Sequence, residues 1–334
     1  MLAHIARRLL WSCAVVLGVI TITFLLSRVI PADPAQLAAG LDAGPEQVAK
    51  IRTMMGLDRP LPVQFLFYLR AIAHGDLGQS IQTRAPVSTD LRAFFPATLE
   101  LSLWVMLLYV VLGIPLGVVA ATRAGSPFDV LTRGLAVGGA AIPVFWAGIM
   151  LQILFYRVLG WLPAVGRIDS FVTPPPAVTG SLVLDSLLAG NFAALWSAAA
   201  HLVLPVLTLV IGRLPVALRL TRVAMVDVLS RDYVRTARAK GLPERRVLTR
   251  HALRNALLPV ITMVGLQFGW LLGGTVVTET VFSWPGIGQY MVKSILTLDF
   301  NAIMGGTILL SVCFVLINLG VDILYSLLDP RIAW

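Results

Sequence analysis

Residue types that do chemistry are sparse in this chain, and their spacing excludes most of it. Four histidines, His4, His74, His201 and His251, are scattered with no metal-ligand spacing. Two cysteines, Cys13 and Cys313, fall inside apolar runs and read as small core residues, with no disulfide framework. No G-x-x-x-x-G-K-[S/T] loop cradles a nucleotide phosphate, and no Gly-rich dinucleotide fingerprint follows a strand pattern. Neither a G-x-S-x-G elbow nor an H-E-x-x-H helix occurs. The acids Glu100, Glu279 and Asp322 lie near the ends of apolar stretches. An ion-coupled secondary transporter needs ionisable groups at the membrane midplane and an internal repeat, and neither is found. A membrane-embedded enzyme needs paired polar groups within its spans, which are also missing. The expectation is no catalytic residue, no metal and no cofactor on this chain. If it moves a solute uphill, the energy comes from a partner.

One stretch carries residues suited to docking. It reads Asp232-Tyr-Val-Arg-Thr-Ala-Arg-Ala-Lys-Gly-Leu-Pro243, then Glu244 to Arg250, then His251-Ala-Leu-Arg-Asn-Ala-Leu-Leu-Pro259. The pattern predicts a helix to Lys240, a stop at Gly241 and a second helix from Pro243-Glu244. Two short helices about a Gly corner make a compact knob. Small residues at Ala237, Ala239 and Gly241 allow close approach, and the surrounding bases suit an acidic partner surface. A solvated basic loop, or one lying on anionic lipid headgroups, has the same composition.

The elements that position this knob are membrane spans. The 334 residues are 57% hydrophobic and only 13% charged, against about 45–50% and about 25% in soluble domains. Six spans are expected: 9–30, 97–121, 131–159 with a kink at Pro143, 199–220 with Pro205 and Pro215, 257–278 and 302–324. The first is too long for a signal-peptide core of about 7–15 residues and reads as a retained span. Arg213 falls within the fourth, where snorkelling or a loop contact competes with a solute role. The division expected is 1–30 as first span, 31–96 as an extracytoplasmic segment with short amphipathic helices, and 97–334 as a five-helix core with a cytoplasmic loop at 221–257. In the outer segment, Val48, Ile51 and Met55, then Val63, Leu66, Leu69 and Ile72, have helical spacing. From Gly160 to about Trp196 a polar connection carries Pro174-Pro175-Pro176.

Lys and Arg in short flanks set the orientation. Arg7, Arg8, Arg123, Arg133, Arg331 and the basic residues from Arg219 to Arg254 share one side if both termini are cytoplasmic. The opposite short connections carry only Arg157, Arg167 and Lys293. The net charge of +9 is therefore mostly topology, which removes the case for nucleic acid and leaves the lipid membrane as the partner of the charge pattern.

The 232–259 segment resembles the cytoplasmic coupling loop of ABC importer permeases, within the dipeptide/oligopeptide/nickel branch. Arg235-Thr236-Ala237 stands at that loop's Glu-Ala-Ala positions and Gly241 at its Gly; Arg254 stands where many relatives have a Pro, which comes later here as Pro259. Gly75-Asp-Leu-Gly-Gln-Ser80, Pro96-Ala-Thr-Leu-Glu-Leu101, Gly113-Ile-Pro-Leu-Gly117, Thr278-Glu-Thr-Val-Phe-Ser-Trp-Pro-Gly-Ile-Gly288, Asn318-Leu-Gly-Val-Asp322 and Asp329-Pro-Arg331 resemble further signatures of the branch, in order and at fitting spacing. The best fit is to the dipeptide type of subunit with a long outer segment after span one.

The resemblance implies an all-α integral membrane protein with a type I ABC importer-like permease fold, multi-pass in the bacterial inner membrane. It implies a non-catalytic subunit that imports short peptides, or by the same machinery nickel, glutathione or longer peptides. Implied partners are a second homologous permease subunit, two cytoplasmic ATPase subunits holding ATP and Mg, and an extracytoplasmic substrate-binding protein. Arg235, Thr236, Ala237, Gly241, Arg250, Asn255 and Pro259 become candidates for ATPase coupling. Glu279, Ser283, Trp284 and Asn318 become candidates for the path or its gate. Alternatively, Thr278–Trp284 forms a re-entrant turn that caps span five, with Trp284 at the membrane interface.

Overall fold

Long apolar segments in a bilayer must satisfy their own backbone groups, which leaves the helix as the solution for a chain without alternating strand patterns. The computed structural model describes residues 2–29, 33–40 and 42–328. Among them, five helices are long and apolar enough to cross a membrane, and a sixth span forms if one bent pair counts as one. The chain divides into two compact units, Met1–Pro96 with Gly286–Val315, and Ala97–Pro285 with Leu316–Trp334.

The first unit holds α1 (Leu2–Val29), α2 (Pro34–Ala39), α3 (Pro45–Met54), α4 (Leu61–Ala73) and α14 (Ile287–Leu296). It also holds the start of α5 (Val87–Thr122) and much of α15 (Phe300–Leu328). Hydroxyls within α1 bond back to the preceding turn, Thr21 to Leu17 O at 2.8 Å and Thr23 to Val19 O at 2.9 Å, so they cost little in an apolar helix. The two amphipathic helices expected in 31–96 are α3 and α4. Val87, Leu91, Ile287, Tyr290 and Ala302 form this unit's core. Beside it, buried Asp299 accepts bonds from the Ser80 hydroxyl at 2.6 Å and the Ile81 N–H at 2.7 Å. Asp90 accepts from the Thr83 hydroxyl at 2.6 Å and from Tyr290 at 3.1 Å. Burial, then the neighbouring Asp90 carboxylate, pushes the Tyr290 phenol well above its ordinary range, so it stays a donor. The Gly75–Ser80 signature therefore marks a loop tied down by buried carboxylates.

The second unit is built on α9 (Phe192–Leu229), which packs on α6 (Pro127–Ala141), α7 (Val144–Gln152), α8 (Leu182–Leu188) and α12 (Arg254–Gly274). Its core joins Ala97, Leu101, Val105 and Tyr109 of α5 to Leu202, Val206 and Leu209 of α9 and to Leu271 and Trp284. Where α12 meets the end of α15, a Cβ on Gly265 would lie 2.1 Å from a Val321 methyl, so only glycine permits that approach. Large apolar side chains left exposed, such as Leu103, Leu107, Val137 and Trp270, suit lipid or another subunit better than water.

The structure corrects several expected boundaries. The second span begins as a helix at Val87 and runs through Pro96, whose ring removes one backbone bond without stopping it. The third is not one kinked helix. It breaks at Pro143, with α6 and the Val144–Val158 segment meeting at 99°. The fourth extends to Phe192–Leu229 because Asn191 caps it, its side chain accepting from the Ala194 N–H at 3.1 Å. The helix after Gly241 is not short. Glu244–Gly274 runs unbroken into the fifth span, with a π-helical stretch at Val247–Leu253. The expected features at Pro31 and Asp329–Arg331 lie outside the described residues.

Candidate functional site

The segment expected to form a docking knob is an elbow between two long helices of the second unit. α9 ends at Leu229, α10 (Asp232–Ala239) turns back, and Glu244 starts the helix that becomes α12. Gly241 at the corner has φ +74°, a conformation that strains any residue with a Cβ, yet a Cβ there would meet nothing within 4 Å. Within this chain its glycine answers to backbone geometry alone.

The elbow is stiff. Val234, Ala237, Val247, Ala252 and Ala256 pack with Met225, Val228 and Ala121. Ala237 is thus 6% exposed and serves the elbow's own packing. Two polar braces cross the bend. Asn255 donates to the Tyr233 hydroxyl at 3.0 Å. Arg238 donates to both oxygens of Glu244, at 3.1 and 2.7 Å. That hydrogen bond, ahead of the opposing effect of burial, holds the Arg238 guanidinium above its ordinary value.

The outer face of the elbow is cationic. The Arg235 side chain is 80% exposed and sits 3.6 Å from Asp232. Thr236, Arg250, Asn255 and Pro259 are also exposed. Among the described residues, Lys240, Arg245, Arg246 and Arg250 make no ion pair. An acidic surface placed here would find several unpaired cations beside an unobstructed glycine.

Two of the other candidates, Glu279 and Trp284, fall in a buried polar hub after α12. α13 (Val276–Val281) carries Glu279, which is fully buried. Its carboxylate accepts from the Thr98 hydroxyl at 2.7 Å and the Thr275 hydroxyl at 2.8 Å. Trp284 is 1% exposed and donates its ring N–H to Ala97 O at 2.9 Å. It lies in the core of the second unit. The Arg167 guanidinium lies 5.4 Å from its ring centroid and pairs with Glu100. Glu100 also accepts from the Ser181 hydroxyl at 2.6 Å and the Val183 N–H at 3.0 Å. Ser283 is exposed at φ +48°, and Asn318 is half-buried on α15.

Sequence reasoning did not assign Glu100, Arg167, Tyr233, Arg238 or Glu244 to either site. Arg238 and Glu244 flank the Gly-Leu-Pro corner at short separation, a signal that was readable. The Arg167–Glu100 pair spans 67 positions and left none.

Comparison with known proteins joins these parts. Residues 113–334 match the family model described as binding-protein-dependent transport system inner membrane component, and residues 1–102 match its N-terminal companion. The chain belongs to this family. It is therefore a non-catalytic, multi-pass inner-membrane permease component of a binding-protein-dependent transport system. The permease is 49% identical over 330 residues to the probable D,D-dipeptide transport system permease protein DdpB of Escherichia coli (strain K12), covering 98% of this chain and 97% of that protein. It is 42% identical over 336 residues, all of both chains, to the dipeptide transport system permease protein DppB of Alkalihalophilus pseudofirmus. It is 41% identical over 334 residues, again all of both, to the glutathione transport system permease protein GsiC of Salmonella typhimurium. The elbow and the hub both lie within the matched region of the permease.

Proposed function

We propose that this permease is one of two homologous membrane subunits of an ATP-driven importer of short peptides. Two cytoplasmic ATPase subunits, which hold ATP and Mg, dock on the elbows, and an extracytoplasmic binding protein delivers the solute. The observation that carries this reading is full-length similarity at 41–49% identity to permeases of dipeptide transport systems.

The elbow end is cytoplasmic, as are both termini, because the Lys and Arg of short flanks gather there. Residues 1–30 supply the first span, 31–96 the extracytoplasmic segment, and 97–334 the core with its coupling loop. Arg235, Thr236, Gly241, Arg250, Asn255 and Pro259 form the docking face, while buried Ala237 shapes it from within. Since α9 leads into the elbow and Glu244–Gly274 leads out as one helix, a displaced elbow carries two spans with it. ATP drives this only by binding one global state better than the other. Glu279 and Trp284 lock the hub that gates the path. Ser283, exposed, and Asn318, half-buried on α15, have surface to meet a solute.

The experiment is mild-detergent purification of the tagged chain from its native membrane. Recovery of a second permease and a P-loop ATPase is expected; recovery of the chain alone, able to transport in liposomes without ATP, contradicts the reading. A second solute class is favoured by the full-length match to a glutathione permease, and competition between dialanine and glutathione for uptake separates the two.

A further inference from the structure

Between α6 and α9, within the second unit, a groove of about 530 Å³ is lined by Arg133, Arg219 and Arg222 together with apolar residues. Its two walls, α6 and α9, run antiparallel: Arg222 meets Asp129 at one end, while Pro215 and the Ile211 carbonyl lie beside Gly139 further along, so each level of the groove takes residues from both. Arg133 of α6 and Arg222 of α9 meet at Asp129, and Arg219 lines the same groove one helical turn before Arg222, while Ala136 and Val137 continue past Arg133 along α6 and Pro215 and Val216 precede Arg219 along α9. The cations thus occupy the end nearer the elbow, and the apolar wall runs from them toward the interior of the span.

The charges do not cancel. Asp129, whose side chain is 1% exposed, accepts from the Arg222 Nε and, at 2.8 Å, from its Nη2, and lies 3.6 Å from Arg133. That carboxylate fixes both guanidiniums in place but offsets only one of them. Arg219 is exposed and, among the described residues, has no ion pair. The Arg133 side chain is 56% exposed. A guanidinium beside hydrocarbon is costly without a counter-anion, and a phosphodiester accepts bonds from more than one guanidinium. We propose that this groove is a binding site for an anionic phospholipid, its phosphate held by Arg133, Arg219 and Arg222 and one acyl chain lying along Val137, Pro215 and Val216. Free phosphate has no use for the apolar wall, and a neutral or zwitterionic lipid leaves the excess positive charge unanswered. Because α9 continues directly from this groove to the elbow, lipid bound here braces the base of the coupling lever.

The test is native mass spectrometry of the full-length chain, with its co-purifying subunits, in mixed micelles containing equal phosphatidylglycerol and phosphatidylethanolamine. The wild type is expected to retain phosphatidylglycerol selectively, and Arg219→Gln with Arg133→Gln to lose it by about fivefold for each arginine removed. Asp129 and Arg222 are left intact, and circular dichroism melts establish that the variant folds. Equal retention of the two lipids by the wild type, or undiminished phosphatidylglycerol on the folded double variant, overturns the proposal. So does efficient crosslinking of Val137→Cys to the second permease subunit, since the groove is then a protein interface.

Discussion

Gly241→Asn separates the backbone demands of the elbow from the demands of a docked partner. At φ +74°, an alanine costs about 1–2 kcal/mol in the left-handed region, and asparagine less, because its short polar side chain is tolerated there. The Cβ itself adds no steric cost within this chain, since nothing lies within 4 Å of it at this position. Both variants are therefore expected to insert and fold, with thermal midpoints in detergent close to the wild type. Against a docked ATPase they differ. Asparagine projects three more heavy atoms than alanine into the space a partner occupies, and overpacking a tight contact costs about 1–3 kcal/mol. The assay is substrate-stimulated ATP hydrolysis by the reconstituted complex. Asparagine is expected to reduce stimulation about tenfold or more, and alanine by a smaller factor set by strain alone. Equal loss in both variants would place the effect in the backbone, and full stimulation with asparagine would mean that no partner packs on the corner.

Three further outcomes follow from the same geometry. Glu279→Ala removes the carboxylate that accepts from the buried hydroxyls of Thr98 and Thr275, so the unfolding free energy should fall by about 2–4 kcal/mol; an unchanged melting curve refutes a structural role for that carboxylate. Gly265→Ala should destabilise the membrane core by about 1–3 kcal/mol by clashing with Val321, and adding Val321→Ala should restore most of it in a double-mutant cycle. Asp185 is buried, which raises its pKa, but bonds from the Thr179 N–H and hydroxyl and from the Gly180 and Val178 N–H groups more than offset this and hold it below the ordinary carboxylate range. Its stabilisation is therefore complete above the unfolded value of about 4 and is lost as pH falls through the folded value. Hydrogen exchange at Val178–Gly180 should accelerate on acidification in the wild type and be pH-insensitive beyond the intrinsic rate in Asp185→Asn.

The spans were legible because apolar length is a one-dimensional signal. Their ends were less so. The Asn191 cap was present in the sequence, yet the polar look of the preceding connection masked seven further helical residues up to Ala198. Pro143 and Pro205 are the same residue type inside apolar runs, but one ends a helix and the other is carried through it. That difference is set by packing: α9 is held on several sides by neighbouring helices, and a propensity cannot register that. The elbow was readable because helix, Gly corner and helix are local. The hub was not, because Glu279 finds Thr98 across 181 positions and Trp284 finds Ala97 across 187. Ala237 shows the limit within a correctly read motif. Its small size suggested a contact for a partner, while the fold uses it to close the elbow on itself.

The most direct test of the account is uptake of labelled dialanine by proteoliposomes containing this permease, its co-purified partner subunits and the binding protein. The account predicts accumulation that requires ATP hydrolysis and the binding protein, and that is abolished when this chain is omitted. Accumulation driven by a proton or sodium gradient by this chain without the ATPase subunits would contradict it.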